Sequence, residues 1–303
     1  MKTLSREHTI TVMAADNKPA LHASAGEEFV LQTHDCYGGR LQTPCDRFDP
    51  SWTDCNPATG PVFVEGARPG DVLKIEILAV EVGPQAVMHI WQGAGAVGHR
   101  QQGWETAVLP IRDGKIIFRP DLELTVQPMI GVIGTAPAEG RSPTTWPGEH
   151  GGNMDCKEIG PGSTLFLPVA VPGALLAAGD IHAAQADGEV CICAAETAGA
   201  IRLRASIAAS ALPTPALLTP RELLFLASDQ TLEGAQRAVI DKAVDFLAIQ
   251  VGLGINEAAR LMSLVCDLRI CQVVDPLKTI RLAIPLRVLA ALGWTPAPED
   301  RHV

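Results

Sequence analysis

Alternation of apolar and polar positions dominates the first two thirds of the chain. Residues 72–80, Val72-Leu73-Lys74-Ile75-Glu76-Ile77-Leu78-Ala79-Val80, alternate over much of their length and follow the tight turn Arg68-Pro69-Gly70-Asp71, the signature of a half-buried strand. Similar runs predict strands at 7–12, 28–33, 62–67 and 129–134, and a hairpin of 104–111 with 115–119 about Asp113-Gly114. Another strand is expected over 164–171, and the apolar run Val190-Cys191-Ile192-Cys193-Ala194-Ala195 reads as a buried one. The glycine-rich segment 89–98 lacks the context of a phosphate loop and reads as a flexible connection. Between Leu41 and Asn56 no period survives. Pro44, Asp46, Asp49, Pro50 and Asp54 mark a long irregular excursion, an active-site loop or a partner contact.

Past Leu212-Pro213-Thr214-Pro215 the period changes. A short strand at 223–227 is followed by apolar residues at 235, 239, 243, 246, 247 and 251, which is helical spacing, with Gly252 or Gly254 as the stop. Asn256 is placed to cap a second helix through Val265. Strands at 268–274 and 279–284 surround Asp275-Pro276, and residues 299–303 read as a frayed end. The expected fold is mainly β, a sandwich- or barrel-like body over 1–210, with a smaller C-terminal α/β unit over 211–303 packed on it.

Composition narrows the function classes. With 47% hydrophobic residues in 303 positions the chain can bury a full core without covalent staples. A formal charge of −10 and the lack of any Lys/Arg cluster argue against nucleic acid as a partner. Residues 1–28 hold no apolar core of signal-peptide length, and no run approaches the ~20 residues that cross a bilayer, so a cytoplasmic protein without membrane partners is expected. The eight cysteines include no pair spaced as in zinc fingers, and free buried thiols are the default.

The chemistry concentrates in Gly179-Asp180-Ile181-His182-Ala183-Ala184-Gln185-Ala186-Asp187-Gly188-Glu189-Val190, four ionisable side chains and an amide beside a predicted buried strand. In extended geometry Asp180 and His182 share a face. Polar groups so placed need partners, which makes the segment a metal or acid/base constellation. Asp187-Gly188 also suits a hairpin turn, and Asp180 a bend. Three more places carry candidates: His34-Asp35 at a strand end, Glu65 inside an otherwise apolar strand, and the loop with His150, Asn153 and Asp155, whose glycines permit close approach of a small ligand.

Together, His34-Asp35-Cys36-Tyr37-Gly38-Gly39, Asn56-Pro57-Ala58-Thr59-Gly60-Pro61 with Val64-Glu65-Gly66-Ala67 and Pro69-Gly70-Asp71, His150-Gly151-Gly152-Asn153-Met154-Asp155, and Gly179 through Glu189 resemble the acetamidase/formamidase family over nearly the whole chain. The resemblance implies hydrolysis of short aliphatic amides to carboxylate and ammonia, a β-rich fold, a homo-oligomer and a divalent metal. Cys36, Cys45 and Cys55 fall within twenty residues, a departure that bears on substrate range.

Amide hydrolysis needs an activated water, a stabilised oxyanion and a proton for the leaving amine. The expected assignment gives His182, Asp35, Asp155 and His34 to a divalent metal, zinc before calcium. Glu189 or Glu65 moves protons, His150 assists catalysis, and Asn153 and Gln185 bind the amide. Two alternatives stand beside it: a cysteine nucleophile, Cys36 or Cys156, and a non-catalytic β protein that binds a metal or small ligand.

Overall fold

The computed structural model describes residues 1–209 and 211–300. Strands hold 41% of the described residues and helices 14%, and the sheets are open. One sheet has nine strands in the order Lys2–Leu4, Glu28–Thr33, Gly199–Ile207, Val72–Val82, Thr164–Pro168, Ala216–Leu218, Glu222–Asp229, Lys278–Pro285 and Asp267–Gln272. The second is built around Leu176–His182, which pairs with Met129–Gly134, Glu196–Thr197 and Ala58–Val64. It extends through Gln85–Trp91 and Trp104–Arg112 on one side and Gly151–Asn153 on the other.

The two sheets share one core. Phe29, Leu31, Leu73, Ile75, Ile77, Leu165 and Leu203 from the first pack on Val62, Val64, Ile130, Ile133, Leu176 and Ile181 from the second, and all are fully buried. Alternation produces this: Leu73, Ile75 and Ile77 face the second sheet, while Lys74 and Glu76 point to the other face.

A second core covers the far part of the nine-stranded sheet. The helix Leu232–Ile249 starts where Thr231 Oγ1 accepts from Gly234 N at 2.9 Å, and it buries Ala235, Val239, Ala243, Phe246 and Leu247 as its spacing requires. These side chains meet Phe225, Leu223, Leu282 and Ile284 on the strands below. The strands on either side of residue 210 thus belong to one sheet, since Thr164–Pro168 pairs with Ala216–Leu218. No helix among the described residues is long and apolar enough to cross a membrane.

Four local expectations change. The run 190–195 is a turn followed by irregular chain with Val190 52% exposed, because Glu189 and Ile192 take positive φ and break any extended path. The segment 89–98 is the end of the strand Gln85–Trp91 followed by a tight glycine turn. The second helix, Ile255–Val265, has Gly254 at its N-cap, which puts Asn256 inside its first turn. Asp300 is buried and accepts from Ala209 N at 2.9 Å, so the chain is anchored there; the remaining residues of the expected frayed end, 301–303, lie outside the described residues.

Candidate active site

The strand Leu176–His182 delivers the central side chains. Ile181 turns into the core, whereas Asp180 and His182 face the opposite way; Asp180 lines a cavity of about 140 Å3, and His182 lies buried just behind its carboxylates. His182 stands directly across from Glu196 on the neighbouring strand, with its Nε2 3.1 Å from Glu196 Oε2, 3.4 Å from Asp180 Oδ1 and 3.9 Å from Asp155 Oδ1. Asp155 follows the strand Gly151–Asn153, and Glu189 enters from the loop after His182. Asp275 comes from beyond the strand Asp267–Gln272 and accepts from Asn153 Nδ2 at 2.9 Å.

Gly131 lets the carboxylates meet. A Cβ there would lie 2.5 Å from Asp155 Oδ1 and 2.6 Å from Asp180 Oδ2. Backbone strain gathers at the same place: of eight non-glycine residues with positive φ among the described residues, five line the cavity, namely Asn56, Asp155, Asp180, Glu189 and Ile192. Asn and Asp tolerate that conformation; Glu and a β-branched Ile do not, and they hold it only because their surroundings impose it.

The electrostatics are one-sided. Five carboxyl groups line the cavity and none of its lining residues is Lys or Arg. Burial first, then repulsion from neighbouring carboxylates, pushes Asp155, Glu189 and Asp275 well above the usual carboxylate range; burial, opposed by His182, pushes Glu196 up to about 7. Burial disfavours charge on His182, but Glu196 and Asp180 outweigh it and hold the imidazole well above its ordinary value. Asp155 Oδ1, Asp180 Oδ1 and Glu196 Oε2 are buried without a hydrogen-bonding partner, although each is close to His182 Nε2.

These donors fit a divalent cation. Asp155, His182 and Glu189 bring ligand atoms within 4.8 Å of one another, and so do Cys36, Asp180 and Glu196. Gln185 fixes which imidazole nitrogen faces them. Its Nε2 donates to Asp155 O at 2.7 Å, which leaves Oε1 to accept from His182 Nδ1 at 2.8 Å and turns Nε2 toward the carboxylates.

The acetamidase/formamidase family model matches residues 13–141 and 138–221. The chain belongs to this family. An acetamidase from Bacillus halodurans of known structure is 41% identical, with a TM-score of 0.95 over 96% of this chain and 100% of that one. A formamidase of Methylophilus methylotrophus is 27% identical over 67% of this chain, and an acetamidase of Mycolicibacterium smegmatis 28% over 63%. The chain spans 63% and 62% of the length of those two relatives.

In this acetamidase/formamidase chain the structure brings together His182, Asp155, Glu189 and Asn153, and it places the other expected residues elsewhere. Asp35 Oδ1 is taken up by the backbone N–H groups of Tyr37 and Gly39 at 3.0 and 2.8 Å, a turn cap, and half-buried His34 lies beside Gly39, off the cavity wall. Glu65 is exposed in a turn and pairs with His22 Nδ1 at 2.8 Å. Gln185 stands behind His182 and does not line the cavity. Asp187 is no mere turn residue, since Arg281 and Lys157 bind its Oδ1 at 2.8 and 3.0 Å.

Asn56, Asp180, Glu196 and Asp275 complete the wall, and Asn56 Nδ2 donates to Asp180 Oδ2 at 3.0 Å. Asp275 lies beyond the family match, on the C-terminal part of the chain. Cys36 lines the cavity too, but burial and the charges of Glu196 and Asp180 push its thiol well above the ordinary value. Such a thiol is a poor nucleophile. Cys156 is buried and points to Glu158 Oε2 at 3.3 Å.

His150 packs against Gly148 and Gly152 with its Nε2 buried and unpartnered, and burial lowers its pKa to about 4. Between about pH 4 and ~6.5 the unfolded chain therefore binds the proton and the folded one does not, so stability falls as pH drops through that window. The loss is ~3 kcal/mol when complete. Denaturant midpoints at pH 7 and pH 4.5 are expected to differ less in His150→Leu than in the parent protein; an equal difference contradicts this account of His150.

Proposed function

We propose that this chain hydrolyses a short aliphatic amide to its carboxylate and ammonia. One observation carries the reading: a small cavity is lined both by Asp155, Asp180 and Glu196, each with an unpartnered carboxylate oxygen close to buried His182, and by Phe48 and Trp91. Family membership and the named relatives support the reaction class.

The residues that would hold a divalent metal are His182, Asp155, Asp180 and Glu196. An imidazole among oxygens favours zinc over calcium. When bound, such an ion lowers the pKa of water to ~7 and polarises a carbonyl. The chain's own groups do the rest. Asn153 Oδ1 is buried without a partner and accepts from the amide N–H of the substrate. Glu189, close to Asp155 and His182, takes a proton from the attacking water at its carboxylate and returns it to the departing nitrogen. Asn56 and Gln185 hold Asp180 and His182 in place. Self-association belongs to the reading as well, supported by Phe118, Leu124 and Val190, which stand 47%, 41% and 52% exposed along one apolar groove.

The test is ammonia release from formamide, acetamide and propionamide by the purified protein. Ammonia with an equal amount of carboxylate is expected. Binding of an amide without turnover, with zinc supplied, would favour the non-catalytic reading.

A further inference from the structure

The polar side of the cavity explains a reaction but not a preference among amides, which must come from the apolar side. The irregular excursion before Asn56 brings Phe48 to that side, beside Trp91. Phe48 stacks on Trp91 with ring centroids 5.1 Å apart, and Trp52 meets Phe48 edge-on at 5.3 Å. Ile192, from the loop after His182, lines the same cavity.

The excursion is pinned on both sides of Phe48. Thr106 Oγ1 donates to Asp46 O at 2.6 Å, and the Arg40 guanidinium lies 3.8 Å above the Trp52 ring. Further on, Asn56 N donates to Cys36 O at 2.8 Å, which ties the end of the segment to its beginning. A wall held at so many points selects by exclusion rather than by moving aside.

We infer that Phe48, seated against Trp91, is the specificity-determining residue that limits the acyl chain of the amide to a few carbons. The inference rests on the amide-hydrolase reading. The cavity of about 140 Å3 is well below the ~300 Å3 at which pockets for drug-sized ligands begin. Asn153, the carboxylates and Phe48 line the same small cavity, so the acyl carbons of a carboxamide held at Asn153 share that space with the ring. Each added methylene then meets the ring, and in an apolar pocket one methylene changes kcat/KM about 10- to 200-fold.

The experiment compares kcat/KM for acetamide, butyramide and hexanamide in the parent protein, Phe48→Leu and Phe48→Ala, with folding checked by circular dichroism. The hexanamide-to-acetamide ratio is expected to rise about tenfold or more in Phe48→Ala, with a smaller rise for butyramide in Phe48→Leu. If Phe48→Ala does not fold, the butyramide-to-acetamide ratio in Phe48→Leu decides alone, and an unchanged ratio overturns the inference. A parent protein that hydrolyses acetamide, with variants of unchanged ratio, overturns this inference only. A parent protein that hydrolyses none of the three overturns the amide-hydrolase reading and the inference with it.

Discussion

His182→Ala is expected to retain no tightly bound divalent cation and to lose about a thousandfold or more in kcat/KM for acetamide. The imidazole stands behind a wall with five carboxyl groups and no Lys or Arg, and its Nε2 is within 3.9 Å of three of them. Transition-state stabilisation by a bound cation is worth several kcal/mol, and ~4 kcal/mol is about a thousandfold in rate. The change also acts on the fold. Without His182 the buried acids Asp155, Asp180 and Glu196 lose their shared positive partner, and removing one member of a buried charge cluster costs ~3–5 kcal/mol. Elemental analysis, ammonia release and urea unfolding on one preparation read the three effects together. Parent-like ammonia release by a folded His182→Ala protein would remove His182 from the chemistry.

Gly131→Ala is expected to lower kcat/KM by about a hundredfold although it adds a single methyl group. Gly131 lies within the strand Met129–Gly134, and its φ is not positive, so alanine meets no backbone penalty there. The cost is local: the new Cβ lies 2.5 Å from Asp155 Oδ1 and 2.6 Å from Asp180 Oδ2, so both carboxylates must shift. A misplacement of ~1 Å at a reacting centre costs about a hundredfold. Overpacking a core position destabilises by ~1–3 kcal/mol, so Gly131→Ala should still fold. Kinetics and zinc titration of the variant check this, and parent-like values in both would mean that the two carboxylates need not be held together.

Much of the scaffold is legible in the sequence because burial on one face writes a period into it. The strand at Val72–Val82, the helix capped by Thr231 and the strand pair at the C-terminal end follow from spacing alone. His182, Asp155, Glu189 and Asn153 are legible too, as polar groups set among small and apolar residues. Glu196 is hidden for a different reason. Its role depends on the register that sets it opposite His182, and the chain between them is a turn rather than the strand its apolar composition implies. Asp275 looks like the start of an Asp-Pro turn, and its part in the site depends on a long-range approach to Asn153. Asp180 shares the face of His182 as extended geometry implies, but its positive φ is not written in the composition. His34-Asp35 shows the converse, a pair with the residue types of a site whose carboxylate is spent on capping a turn.

The most direct measurement is ammonia released from acetamide by the purified protein before and after exhaustive chelation, with metal content determined on the same samples. About one divalent ion per chain and steady release are expected beforehand. Both should vanish on chelation, and both should return when zinc is added. Undiminished ammonia release from metal-free protein would contradict metal-dependent hydrolysis.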